Sequence, residues 1–171
     1  MKNEVEALSI FQKTYKSISS HLIQHVEKLK AREDQGSYWW ELRSCVYYDA
    51  FQKCKLLYNE TSKELHAFLD NDGFYINKTG FMIISEDNEY LLGLLNSKLM
   101  DWFYRVDFPT YGDPWEGGRI QFRKEPNMLG IPIVLAKTEE KLPIIKRVRA
   151  ILANPLSPQV PQIEKEIDQL V

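Results

Sequence analysis

The feature that most constrains the fold is an apolar helical pattern that begins at Asp87. Leucines and aromatic residues recur every three or four positions as far as Tyr104, and Asp87 or Asn88 can cap the first turn. A face this apolar requires deep burial. Asn96 and Ser97 fall within the pattern, where we expect their side chains to bond to nearby backbone or to join a buried network. The rest of the chain must therefore cover this helix.

Short strands are predicted around this helix, because apolar or aromatic runs alternate with turn signals such as Asp72-Gly73. The predicted strands are 54–58, 65–69, 74–76, 81–84, 119–123 and 131–135, and further helical patterns occupy 18–32, 143–152 and 162–171. The last pattern stops on apolar residues, as expected of a helix that continues further. We predict an α+β fold, with a small mixed or antiparallel sheet packed on the leucine-rich helix. Its parts are an N-terminal helical segment (1–36), an α+β core (37–135) and C-terminal helices (136–171).

Composition limits the function classes. The chain is 44% hydrophobic and 27% charged, which is typical of a globular domain. It contains two cysteines, too few for a disulfide framework, and no signal peptide or apolar run of the ~20 residues that cross a membrane. We therefore expect a cytoplasmic protein with no membrane partner. The formal net charge of -2 argues against binding nucleic acid by charge alone, although 51–63 and 137–149 are locally basic.

The sequence offers little for catalysis. Glycine-rich phosphate loops and Cys-x-x-Cys pairs are absent, and His21 and His25 have helical metal-ligand spacing without an accompanying ligand motif. We predict no catalytic residue and no metal site. An alternative is a metal-dependent nuclease built from Asp113, Glu140 and Lys141. This pattern is frequent by chance, and Glu140 precedes a predicted helix.

The irregular segment 105–130 is unusually long for a compact domain, and long loops often carry function. Arginine can pair bidentately with guanine, and glutamine with adenine. An equally open interpretation is a surface loop whose aromatic residues fasten it to the core. The candidate DNA-contacting residues here are Arg105, Tyr111, Arg119, Gln121, Arg123 and Lys124.

Several short motifs follow one another in a characteristic order. They are Gln-Gly-Ser-Tyr-Trp-Trp-Glu-Leu-Arg at 35–43, Phe-Gln-Lys-Cys-Lys-Leu at 51–56, Phe-Tyr-Ile-Asn at 74–77, the strand 81–84, Tyr-Leu-Leu-Gly-Leu-Leu-Asn-Ser-Lys-Leu at 90–99, Ile-Pro-Ile at 131–133 and Glu-Ile-Asp-Gln-Leu-Val at 166–171. Together they resemble the TaqI-like C-terminal specificity domain of type IIG restriction–modification enzymes and adenine-specific DNA methyltransferases. Cys54 and Val134 stand where that family often has proline, and both differences are compatible with changed packing.

The resemblance implies a target-recognition module that is not itself an enzyme. In this family the methyltransferase half lies upstream, carries an Asn-Pro-Pro-Tyr motif and binds S-adenosylmethionine, while Mg²⁺ would serve a parent that also cleaves DNA. The implied partners are double-stranded DNA, whose adenine would be flipped out and methylated at N6, and the upstream methyltransferase domain. This chain would bind no cofactor.

The resemblance also implies which side chains contact DNA. Phosphate contacts, which fix the register of the protein on the duplex, are expected from four cationic side chains. An asparagine in a turn is expected to make a further contact to DNA. These residues are Arg43, Lys53, Lys55, Lys78 and Asn77. Base contacts are expected from Arg105, Arg119, Gln121 and Arg123. A protein-interaction or specificity-subunit role, with the terminal helices docking on a methyltransferase, is an alternative, and a stand-alone metal nuclease is another.

Overall fold

The computed structural model describes residues 3–123 and 127–171. The chain divides into two compact units, Met1–Tyr48 and Asp49–Val171, which are described separately. None of the helices in the described ranges is long and apolar enough to cross a membrane.

The first unit consists, in its described residues, of three short helices and a loop that is held in place by hydrogen bonds and ring stacking. The helices are α1 (Glu4–Thr14), α2 (Lys16–Ile23) and α3 (Val26–Lys30). The pattern predicted as one helix over 18–32 is therefore interrupted between α2 and α3. Arg32 donates hydrogen bonds to the carbonyl oxygens of Trp39 and Glu41 (3.2 and 2.8 Å), and the Trp40 ring stacks on Phe11 and on Tyr38. These contacts hold the loop that follows α3.

In its described residues, 49–123 and 127–171, the second unit has six short strands and four α-helices. In chain order they are β1 (Lys55–Asn59), β2 (Thr61–Ser62), β3 (Phe68–Asp70), β4 (Gly80–Ile83), α4 (Asn88–Leu95), α5 (Lys98–Asp107), β5 (Thr110–Tyr111), β6 (Arg119–Gln121), α6 (Thr138–Ala153) and α7 (Val160–Asp168). The strands form two three-stranded antiparallel sheets, with the orders β3-β1-β4 and β2-β6-β5. The predicted α+β class is confirmed.

The core of this unit lies between the central strand β1, helix α4 and the C-terminal helices. Leu56 on β1 pairs with Leu69 and Ile83, and its side chain is fully buried. Helix α4 packs closely on α6 at Gly93, where an added Cβ would lie 2.6 Å from Cγ2 of Ile144. Only glycine permits this approach without a shift of one helix.

The leucine-rich pattern forms two helices rather than one. Helix α4 ends at Leu95, because the Asn96 side chain leaves the helix to bond both the N–H and the carbonyl oxygen of Ala67 (2.9 and 2.8 Å). Ser97 then starts α5 as its N-cap, and its hydroxyl oxygen accepts from the Met100 N–H (3.3 Å). Ser97 bonds nearby backbone as expected, whereas Asn96 bonds the backbone of a residue 29 positions earlier, and the continuous helix is corrected.

Two predicted strands are wrong. Residues 74–76 belong to the turn after β3, where the Phe74 N–H donates to the Asp70 carboxylate (3.0 Å). Residues 131–135 have no strand assignment, and Pro132 lacks the N–H that a central strand needs. Strands β2 and β5, with two residues each, were not predicted. Cys45 and Cys54 are free thiols.

Candidate nucleic-acid interface

The β2-β6-β5 sheet has one buried face and one exposed face. Arg119 and Gln121 flank Ile120 on β6, and Ile120 is 0% exposed. Since successive side chains on a strand point to opposite faces, both polar residues lie on the outer face. Tyr111 pairs with Arg119 across the ladder, and Thr61 pairs with Gln121. We call Tyr111, Arg119 and Gln121 the reader face.

A seven-residue loop, 112–118, connects β5 to β6 and has a defined shape. The Asp113 carbonyl oxygen accepts from the Gly118 N–H (2.7 Å), and its carboxylate accepts from the Trp115 N–H (2.8 Å). A Cβ on Gly118 would lie 2.6 Å from the Asp113 oxygen, so this turn requires glycine. The Trp115 side chain is largely exposed at this loop. The hairpin therefore presents an aromatic residue beside the reader face.

Additional cations lie next to the hairpin. The Lys63 ammonium is 3.9 Å from the position that a Cβ on Gly117 would occupy. Arg123, just after β6, forms an ion pair with Glu60 (Nε to Oε1, 3.1 Å) and is still about half exposed. Arg119 makes no ion pair with any residue in 3–123 or 127–171 and is exposed. Its guanidinium is therefore available to a ligand.

The turn that contains Asn77 and Lys78 is connected to this region through Glu60. The Glu60 N–H donates to the Thr79 carbonyl oxygen (2.8 Å), while the Glu60 carboxylate pairs with Arg123. The Asn77 side-chain oxygen accepts from the N–H and hydroxyl of Thr79 (3.0 and 2.7 Å), so it shapes the turn. Lys78 is exposed and directly precedes Thr79, whose carbonyl oxygen is bonded by Glu60.

The predicted phosphate contact by Lys55 is wrong. Its side chain is 0% exposed, and its ammonium pairs with Asp70 and donates to the Phe51 carbonyl oxygen (2.6 Å). Burial alone would raise the pKa of the Asp70 carboxyl. Hydrogen bonds from Lys55 and from the N–H groups of Asp72 and Phe74 outweigh burial, and the pKa lies below its ordinary value. Lys55 therefore serves the fold.

The predicted base contact by Arg105 is also corrected. Its side chain is only 12% exposed, and its guanidinium donates to Asp101 (2.8 Å) and to the Pro114 carbonyl oxygen. These bonds and the low exposure hold the guanidinium inside the unit rather than presenting it to a base edge.

The other predicted contacts lie elsewhere. Lys53 is exposed before β1, at the end of this strand opposite Asn59, and thus away from the Glu60 region. Arg43 is exposed in the first unit. Lys124 lies outside the described residues. The structure therefore brings together Tyr111, Arg119, Gln121, Arg123 and Lys78, and adds Lys63, which sequence reasoning missed. The position of Lys63 in the basic segment 51–63 was the feature of the sequence that could have identified it.

The residues of the nuclease alternative each have a structural contact. Asp113 organises the β5–β6 loop, and Glu140 accepts from the Lys137 N–H at the start of α6 (2.7 Å). The Lys141 ammonium donates to Asp87 (2.6 Å) and lies 5.4 Å from the centroid of the Tyr90 ring. Within the described parts of the chain, no three His, Cys, Asp or Glu side chains are grouped to hold a metal ion.

Comparison with known families gives one match. Residues 5–115 match the family model described as TaqI-like C-terminal specificity domain, which is more than half of the chain. The match includes both leucine-rich helices and β5, and it ends at Trp115, before β6. A search of curated proteins finds no match.

Proposed function

Because this chain belongs to the family of TaqI-like C-terminal specificity domains of restriction–modification enzymes, we propose that it reads a short sequence in duplex DNA with the β5–β6 hairpin. The observation that carries this proposal is the outward alternation of Arg119 and Gln121 around buried Ile120. A two-stranded ribbon fits the major groove, where arginine pairs with guanine and glutamine with adenine. Tyr111, beside Arg119, completes the reader face.

Phosphate contacts would flank this reading surface. Lys63, Lys78 and Arg123 are exposed near the hairpin, and flexible cations suit the sequence-independent part of DNA binding. Lys53 lies at the other end of β1 and would contact DNA only where the duplex extends beyond the hairpin, and Arg43, in the first unit, is a further candidate for a phosphate contact. The net charge of -2 limits indiscriminate binding, so base contacts have to supply much of the affinity.

The chemistry would take place in other domains. We propose that an upstream methyltransferase domain of the same parent binds S-adenosylmethionine and methylates adenine at N6. Cleavage, if the parent performs it, would use Mg²⁺ in a further domain. The role of this chain is to set the position of the duplex, and none of its own residues is proposed to act as a catalyst.

A docking role is the second candidate, favoured by an apolar stripe on α5. Leu99, Trp102 and Val106 recur at helical spacing, and each is more than half exposed. The stripe suits contact with the methyltransferase domain. Trp102→Gln would then weaken retention of this chain on an immobilised methyltransferase domain and leave its DNA selectivity unchanged. Equal retention of both forms would remove the stripe from the contact.

Sequence selection tests the main proposal. The 171-residue chain is incubated with randomised duplex DNA at moderate salt, and the retained DNA is sequenced. We expect one short motif to be enriched. Gln121→Ala should lose preference at one position of the motif, whereas Lys146→Ala, which removes an exposed cation on α6, should keep the wild-type motif. Retention without any enriched motif would contradict target recognition by this chain.

A further inference from the structure

Three segments of the second unit meet at the side chain of Arg105. Its Nε donates to the Asp101 carboxylate on the same helix, α5 (2.8 Å). One terminal nitrogen donates to the Pro114 carbonyl oxygen in the β5–β6 loop, and the other is 3.5 Å from the Glu64 carboxylate, in the β2–β3 connection. The guanidinium carbon also lies 5.4 Å from the centroid of the Trp115 ring. Arg105 thus joins the recognition loop to the helical platform.

The shape of the guanidinium is essential to this arrangement. Its planar fork offers donors in several fixed directions, so it can bond a carboxylate and a carbonyl at once and still stack on an indole. A lysine ammonium at the same place is a single point donor on a flexible stem. Hydrogen bonding to Asp101 raises the pKa of Arg105, which favours the charged form of the group.

Hydrogen bonds within the 112–118 loop fix its shape, but the loop is joined to its sheet only at its two ends. Bonds from Trp115 and Gly118 to Asp113 fix its curvature. Gly112 and Gly117, with φ of 80° and 86°, form bends on either side of Pro114. The pairing with β2 and the burial of Ile120 hold β6 in its sheet, and the bond from Arg105 to Pro114 fixes the loop end of the hairpin against α5.

We infer that Arg105 is a positioning residue, which orients the β5–β6 hairpin and so determines sequence discrimination without touching DNA. The inference rests on the proposed function. Base contacts require the reader face to be held in place before binding, because ordering it during binding would cost affinity. Phosphate contacts through flexible lysines tolerate a tilted hairpin. Loss of Arg105 should therefore lower specific binding much more than general binding.

The test compares Arg105→Lys with the wild-type chain on two probes, the duplex enriched by selection and a scrambled duplex of the same composition. The variant should bind the selected duplex about tenfold more weakly, the size of one good base contact, and the scrambled duplex within about twofold of the wild type. The slope of log affinity against log salt should not change. Lys78→Ala is the matched control, since loss of a phosphate contact reduces that slope by about 1 on both probes.

Amide hydrogen exchange at residues 115–118 gives a readout that needs no DNA. Exchange should be faster in Arg105→Lys, while thermal unfolding remains cooperative. Wild-type exchange would overturn the anchoring role. A reduced salt slope in Arg105→Gln, which removes the charge that Arg105→Lys keeps, would overturn it in favour of a direct phosphate contact. A wild-type chain that distinguishes no duplex would overturn the proposed function, and the specificity role with it. The exchange result would still decide whether Arg105 anchors the loop.

Discussion

At the scale of single residues, the side of the strand on which a charge lies decides whether it can meet a ligand. Arg119 lies on the outer face of β6 and has no ion-pair partner in the described ranges. Lys55 begins β1 inside the unit, where it pairs with Asp70. Both cations lie on strands, but only the exposed one is free to bind.

Arg119→Ala tests the exposed cation. The variant should lose about 1–3 kcal/mol of specific binding free energy, because a bidentate contact to one base is removed. The measurement is a titration against the duplex enriched by selection and against the same duplex with single base changes. Discrimination should relax at one position. Wild-type affinity together with a wild-type profile would remove Arg119 from the reader face.

Lys55→Met tests the buried cation. It should lower the free energy of unfolding at pH 7 by about 3–5 kcal/mol, because the Asp70 carboxylate stays buried without its charged partner. Denaturant titration measures the change, and Lys53→Met, at an exposed site, should be near neutral. A Lys55→Met chain as stable as the wild type would contradict this pairing.

The same pair predicts a dependence on pH. The folded-state pKa of Asp70 lies below its ordinary value of 3.8, so its stabilising contribution is complete above that value and is lost as pH falls through the lower folded pKa. In Lys55→Met, burial should raise the pKa of Asp70, and acid should relieve the unpaired charge. The stability difference between the two chains should narrow from pH 7 towards pH 4, and a constant difference would contradict this account.

At the scale of elements, the close packing of α4 on α6 sets the distance between the sheets and the C-terminal helices. Gly93→Ala should lower the free energy of unfolding by about 1 kcal/mol. Overpacking against Ile144 costs about 1–3 kcal/mol, and higher helix propensity offsets part of this loss. Gly130→Ala is the control, because no atom lies within 4 Å of the added Cβ. An unfolding temperature of Gly93→Ala equal to or higher than that of the wild type would show that α4 and α6 can shift apart without a loss of stability.

Elements with a strong periodic pattern could be predicted from the sequence. β1, β4, β6 and the leucine-rich region follow from local patterns. The two-residue strands β2 and β5 could not be predicted, because their pairing with β6 defines them. The interruption after Leu95 depends on a bond from Asn96 to Ala67, 29 residues earlier. Likewise, the burial of Lys55 depends on Asp70, which a local pattern does not reveal.

The candidate DNA-binding site could be predicted from the sequence to about the same degree as the helices and strands. The predicted strand over 119–123 places Arg119 and Gln121 on one face, because successive side chains on a strand point to opposite faces. The position of Arg105 is set by Pro114 and Glu64, which approach it only in the folded chain. Arginine was the expected residue type for base contact, but folding uses it for internal bonds.

At the scale of the whole molecule, the hydrophobic core belongs to the second unit and includes its C-terminal helices. Ile144, Val148 and Ile167 are buried in the same cluster as Leu56. A fragment of residues 49–171 should therefore unfold cooperatively when heated, as monitored by circular dichroism. A fragment of residues 37–135, which matches the core predicted from sequence, lacks α6 and α7 and should not. Cooperative unfolding of the shorter fragment would contradict an essential role for these helices.

The side-chain amide of Asn96 also affects strand pairing at the edge of the β3-β1-β4 sheet. Strand β3 is at the edge of its sheet, and an open strand edge invites pairing with another chain. By bonding both the N–H and the carbonyl oxygen of Ala67, the residue before β3, Asn96 occupies groups that an incoming strand would use. We therefore expect the side chain that ends helix α4 also to hinder pairing of another strand beside Ala67.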